Sequence, residues 1–284
     1  MSRAMRNRVT VPKIRAGPTT GETAAAHAQS PAVNLYRLAR ATCLAALTAS
    51  VANAQPRVAT DSIPGTLVTL DLVRVPAGRD VASFLIGRTE LTWDAYDPFA
   101  FGPGSGGSRG SADAISRPSR PYGAPDYGFG HAGYPAISVT KEAADAYCRW
   151  LSEKTGRRYR LPTEAEWAHA AQLAAGTKPL RRQRRDALAW HRGNAAAKSH
   201  PSGRKAADAL GLRDLFGNVA EWVTTSDGQL ATRGGSWRDA PGNVGPAARA
   251  LQDDSWNERD PQIPKSPWWL SDGPFVGFRI VREP

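Results

Sequence analysis

Few residues in this chain have the type and placement for chemistry, and they are scattered. Asp239 follows Ser236, Trp237 and Arg238, with Arg233 a little upstream. A carboxylate among guanidinium groups in a polar pocket could act as acid, base or hydrogen-bonding group. An Asp just ahead of Pro241-Gly242 also suits an ordinary turn. Beyond residue 55 the histidines are His131, His169, His191 and His200, no two of them at i, i+4 spacing. His169 falls on a helix, where a metal ligand and a hydrogen-bonded surface histidine are both open readings. Cys148 lies on an apolar helical stripe, which makes it a packing thiol rather than a nucleophile. The block Arg181-Arg182-Gln183-Arg184-Arg185 has no interleaved aromatics for base stacking and reads as a solvated loop.

These residues need elements to hold them, and the sequence marks several. Residues 67–75 and 83–92 read as strands, as do 221–225, 230–237 and 275–283. Ala144, Tyr147, Cys148 and Leu151 recur at i, i+3, i+4, i+7, making one face of a helix that Gly156 stops. Thr163 and Glu166 form a capping box, and Trp167, Ala170, Ala171 and Ala174 continue that second helix to Gly176. Residues 98–135 are so dense in Gly and Pro that they read as a long insertion without regular structure. Its Tyr122, Tyr127, Phe129 and Tyr134 are placed to pack it down on the domain.

The composition narrows the class. The chain has 284 residues, 41% of them hydrophobic, with nine Trp, 27 Gly, 22 Pro and two Cys. That is enough for one substantial core, too polar for a polytopic membrane protein and too poor in Cys for a disulfide scaffold. The net charge of +11 suggests nucleic acid until it is located. Arg3, Arg6, Arg8, Lys13, Arg15, Arg37 and Arg40 face Glu22 alone in residues 1–54, so more than half of the excess sits in the leader.

That leader has a signal-peptide form. Arg37 and Arg40 precede a short apolar run from Ala41 to Val51, and Ala52-Asn53-Ala54 offers a cleavage site before Gln55. The run is far below the ~20 residues that span a bilayer. The expectation is a periplasmic or secreted protein cleaved after Ala54, with no transmembrane helix in the mature form. Translation is expected to begin near Val33 or Leu35, which would make residues 1–33 an over-long start. The division is thus 1–54 leader, 55–66 linker and 67–284 domain.

Five collinear stretches resemble the formylglycine-generating enzyme (sulfatase-modifying factor) family. They are IGRTELTWDAYDPF at 86–99, YPAISVTKEAADAYCRWLSEKTGRRYRLPTEAEWAHAA at 134–171, GLRDLFGNVAEW at 211–222, RGGSW at 233–237 and VGFRIVRE at 276–283. The resemblance implies an irregular α+β, C-type-lectin-like fold with two main helices, short sheets and much loop. Within it, Gly217, Gly234 and Gly235 suit positions of positive φ or close backbone approach. Trp167, Trp222 and Trp237 suit buried anchors whose indole N–H groups find partners.

The family's oxidases hold copper(I) with two cysteines, which the resemblance places at Asp239 and Val244. Copper(I) is soft and prefers thiolates, so formylglycine formation and copper are not expected. A second branch, the sulfoxide synthases of thiol-histidine biosynthesis, holds iron with three histidines, a set the scattered histidines here disfavour. The resemblance also implies a structural calcium on the carbonyls of Phe216, Gly217 and Val219 and the side chain of Glu221, unless Glu221 pairs with an arginine instead. Asn194 and Ala195 match half of a weaker second calcium loop. Two functions stay open. One is an exported module that binds a peptide, protein or glycan of the cell envelope in a groove bearing Trp237 and Arg238, and not nucleic acid. The other is an enzyme of altered chemistry using Asp239, Ser236 and Arg233, or a non-haem iron.

Overall fold

The computed structural model describes residues 58–102 and 124–284. The leader therefore lies outside the described residues, as does the middle of the 98–135 insertion, Tyr122 included.

A five-stranded sheet forms the central layer. It comprises β1 (Val58–Ser62), β2 (Thr69–Val75), β3 (Phe84–Gly87), β11 (Val281–Arg282) and β4 (Tyr159–Arg160), in the order β1-β2-β3-β11-β4. Alternation along these strands sends side chains to two separate cores. Leu72 and Leu85 enter one core, while Val73, Val75, Phe84, Ile86 and Val281 enter the other. The register Val73↔Ile86↔Val281 keeps each residue on its own face.

The first core is aromatic. It is built from α1 (Trp93–Ala100), α2 (Lys141–Thr155) and the C-terminal tryptophans Trp268 and Trp269. Tyr96, Phe99 and Tyr147 meet mostly edge to face, the arrangement that ring quadrupoles favour. Helix α2 stops where predicted, with Gly156 at φ 67°, and it starts at Thr140, whose Oγ1 accepts from Ala143 N–H at 3.1 Å. The second core lies under α3 (Glu164–Ala175), whose capping box is complete. Its Trp167, Ala170, Ala171 and Ala174 are all buried.

The Arg block is not a loop. It opens α4 (Arg182–Leu188), and Arg184 reaches back to the carbonyls of Ala174 and Ala175. A guanidinium thus satisfies orphan carbonyls at the end of α3 where the helix dipole favours a cation. The 55–66 stretch is not a bare linker either, because β1 pairs with β2 over five residues. Asp61 of β1, only 5% exposed, accepts from Arg282 at 2.6 and 2.7 Å and from Arg157 and Tyr159. Helix α1 extends into the expected insertion through Pro98 to Ala100.

The remaining strands are short. β5 (Ala189–Trp190) pairs in parallel with β6 (Phe216–Gly217). β7 (Ala220–Thr224), β8 (Leu230–Arg233), β9 (Arg249–Leu251) and β10 (Val276–Gly277) form a sheet in the order β10-β7-β8-β9. The long C-terminal strand expected at 275–283 is split, with β10 joining this sheet and β11 the central one. No helix among the described residues is long and apolar enough to cross a membrane.

Candidate functional site

The turn after β8 organises the site. Gly235 has φ 74°, and a Cβ there would stand 2.7 Å from the carbonyl oxygen of Asn243. Only glycine lets the two segments approach so closely. That approach brings Asp239 and Val244 to one cleft of about 370 Å³, lined also by Lys178, Leu180, Arg238 and Phe275. The two positions where thiolates would be needed therefore do share a cavity.

What stands at those positions is a turn carboxylate and an aliphatic group. Asp239 Oδ2 accepts from both the N–H and the Oγ of Ser236, each at 2.7 Å, which closes the turn. Ser236 is fully buried and spent on that contact. Arg233 bridges Glu164 Oε1 at 3.4 Å and the Pro246 carbonyl at 2.8 Å, so it braces the cleft wall. Ser236 and Asp239 are thus brought into contact, while Arg233 is bonded to Glu164 and Pro246 instead, and each of the three is engaged in holding the structure. Of the expected groove residues, Arg238 lies over the Phe275 ring. Trp237 donates to the Pro274 carbonyl at 3.1 Å and is met edge-on by Phe129 of the insertion. Tyr127 also anchors the insertion, through its hydroxyl on the Ser271 carbonyl.

Cys148 contributes nothing to this cleft. It is 2% exposed within the first core, and burial pushes its thiol well above the ordinary range. The histidines are dispersed. His131 stacks on Trp93 between Asp97 and Asp126, at 2.9 and 3.3 Å. His169 bonds the Pro76 carbonyl and His191 bonds Asp186. His200 stacks on Trp190 at 3.8 Å between centroids and meets the Ala195 carbonyl.

The expected calcium set does not fit the geometry. Glu221 is fully buried and turned inward. Its oxygens accept from Arg279 Nη2 at 2.7 Å, from Arg279 Nε at 3.0 and 3.1 Å and from Trp167 Nε1 at 2.9 Å. A dication would have to share that carboxylate with a guanidinium already in contact, so the arginine-paired alternative is the one observed. At the weaker site Asn194 Oδ1 accepts from His191 N–H and its amide donates to the Ala189 carbonyl, closing the loop on itself. Ala195 is buried, its carbonyl meeting Lys198 N–H and His200. Among the described residues no three His, Cys, Asp or Glu are grouped to hold a metal ion.

The turn around Glu221 is nonetheless built as predicted. Gly217 has φ 73°, and a Cβ would lie 2.1 Å from the Trp190 carbonyl oxygen. Trp222 donates to the Val139 carbonyl at 2.8 Å. The sequence reading missed the groups surrounding it. Arg279 also donates to the carbonyls of Gly87 and Arg213. Glu90 accepts from Val219 N–H, Asn218 Nδ2 and Ser202 Oγ. Burial, then the charges of Asp214 and Glu221, holds the Glu90 carboxyl well above its usual range. Asp214 is pushed up to about 6, chiefly by burial. The signal available for Arg279 was a charge between Phe278 and Ile280, whereas Glu90 shares its segment with Arg88, Asp94 and Asp97 and carried no such mark.

The sulfatase-modifying factor enzyme 1-like domain family matches residues 62–284. The formylglycine-generating enzyme of Mycobacterium tuberculosis (strain ATCC 25618 / H37Rv) is 38% identical over 114 residues, which is 33% of this chain and 34% of that protein. The inactive C-alpha-formylglycine-generating enzyme 2 of Bos taurus is 35% identical over 138 residues, 41% of this chain and 43% of that protein. A serine/threonine-protein kinase, pkn1 of Chlamydia pneumoniae, is 33% identical over 99 residues, 33% of this chain and 14% of that protein. The chain spans less than half the length of these curated relatives. Among solved structures, Treponema denticola variable protein 1 superimposes with a TM-score of 0.58 at 21% identity, covering 81% of this chain and all of that one. PvdO from Pseudomonas aeruginosa gives 0.56 at 23% identity, covering 80% of this chain and 98% of that one. These likenesses bear out the irregular α+β, C-type-lectin-like fold.

Proposed function

Because the chain belongs to the sulfatase-modifying factor enzyme 1-like domain family, we propose that it is an exported member that does not generate formylglycine and acts as a binding module for a peptide, protein or glycan of the cell envelope. The observation that carries this reading is the chemistry of the shared cleft: a carboxylate closing its own turn at Asp239, and an isopropyl group at Val244. Neither offers the soft sulfur donor that copper(I) prefers. The cleft has an apolar floor and a basic rim. Catalysis through Asp239, or through an iron held by histidines, has no comparable support. Asp239 is a turn residue, and each described histidine has separate partners.

The test is to supply the full chain with copper(I), oxygen and a sulfatase-derived thiol peptide. No aldehyde is expected beyond a protein-free control, and conversion of the thiol to the aldehyde would overturn the reading. Export predicts that protein recovered from a periplasmic extract begins at Gln55. An N-terminus upstream of Arg37 in that fraction would contradict it.

A further inference from the structure

Strand β9 is the outer strand of its sheet, and Arg249 and Ala250 at its start line the cleft. Gly234 N–H bonds the Ala248 carbonyl at 3.3 Å and Gln252 N–H bonds the Leu230 carbonyl at 2.8 Å. With Thr232 opposite Ala250, the antiparallel alternation turns the amides of Ala250 and Gln252 toward β8, while that of Ala248 bonds the Gly245 carbonyl at 3.1 Å. Those of Arg249 and Leu251 then point away from the sheet. No strand among the described residues pairs with that side, and all three residues of β9 are exposed. A short, charged edge strand is ordinarily a guarded one. This one differs in its setting, because the segment leading into it and Arg249 and Ala250 line the same cleft as Asp239 and Val244.

The rim charge is one-sided. Of the cations lining the cleft, Arg249 is paired with Glu164 at 2.8 Å, which leaves Lys178 and Arg238 against Asp239, whose Oδ2 is committed to Ser236. Beyond the shared wall at residues 177–180, an adjoining cleft of about 450 Å³ adds Arg181 and Arg184. Aromatic platforms that would suit a sugar or a base are covered: Phe275 by Arg238 and Trp237 by Phe129.

We infer that the cleft takes an extended, acidic peptide segment as an added strand on the free edge of β9. This rests on the binding-module reading and sharpens it to one ligand class and one geometry. Main-chain bonds to Arg249 and Leu251 supply affinity for any extended segment, and the basic rim selects acidic side chains.

The experiment is a fluorescence anisotropy titration of the full chain with a dye-labelled peptide of alternating Glu and Val. Two further peptides are compared, one N-methylated at alternate residues and one with Lys in place of Glu. The acidic peptide is expected to bind with a dissociation constant that rises with salt. N-methylation should weaken it about tenfold, the equivalent of one or two main-chain hydrogen bonds. Leu251→Pro removes only an outward donor from an edge strand and should produce a similar loss. Lys178→Glu should weaken the acidic peptide and strengthen the Lys peptide. Equal binding of the methylated and unmethylated peptides would overturn strand addition while leaving the binding-module reading intact. Binding of a sulfated polysaccharide but of no peptide would overturn the inference in favour of a glycan. Binding of none of these probes would overturn both. If Leu251→Pro lowers the melting temperature, the methylated peptide still decides the matter on unmodified protein.

Discussion

At the scale of single residues, Glu221 decides what holds the centre of the domain. Its carboxylate and the Arg279 guanidinium are both fully buried and in contact at 2.7 Å. Removing one partner leaves an uncompensated buried charge, which costs about 3–5 kcal/mol. Glu221→Gln is therefore expected to lose stability of that order in urea unfolding, with Arg279 left facing a neutral amide. A chelator is expected to leave the melting temperature of the native protein unchanged, because Arg279 does the neutralising that a cation would do. A fall in melting temperature with EGTA, restored by added calcium, would reverse this account and return Glu221 to a ligand role.

At the scale of elements, legibility follows sequence distance. Helices α2 and α3 were readable because their signals are local. An apolar stripe repeats within one turn, Thr163 and Glu166 cap each other three residues apart, and Gly156 adopts φ 67° at the stop. Arg160 adds a bidentate pair to Glu166, with both bonds at 2.6 Å. Thr163→Ala should thus cost about 1 kcal/mol, the usual worth of an N-cap, as read by denaturant midpoint. A negligible change would mean that the Arg160 pair alone anchors this helix start. The unread elements depend on distant partners. Strand β1 becomes a strand only by pairing with β2 and seating Asp61 under Arg282, and the split of β10 from β11 requires two different sheets. The candidate site divides the same way. The two positions singled out by the family resemblance, Asp239 and Val244, lie only five residues apart and line one cleft, whereas the partner of Glu221 lies 58 residues on, at Arg279.

At the scale of the whole molecule, the interior formed by the described residues carries more carboxyl groups than the one buried guanidinium among them, that of Arg279, can balance. Glu90, Asp214 and Glu221 surround Arg279, and Asp208 lies close enough to feel it. Burial pushes both Asp208 and Asp214 from 3.8 up to about 6. A carboxyl raised on folding adds stability in its neutral form, fully present below 3.8 and lost as pH climbs through about 6. Glu166 works the other way. Held below its usual 4.5 by Arg160 and by the Thr163 hydrogen bonds that outweigh its burial, it adds stability above that value and loses it in stronger acid. The two tendencies place the stability maximum in mild acid rather than at neutrality. Asp208 isolates the first of them. Its Oδ1 accepts from the N–H groups of Leu210 and Leu212, while Oδ2 is buried without a partner. Asp208→Asn keeps an acceptor for both amides and removes the ionisation. Its melting temperature is expected to match the parent's near pH 4.5 and to exceed it at pH 8, where the parent must carry the charge. Curves that run parallel across that interval would show that Asp208 ionises without penalty and that the acid-side maximum has another source.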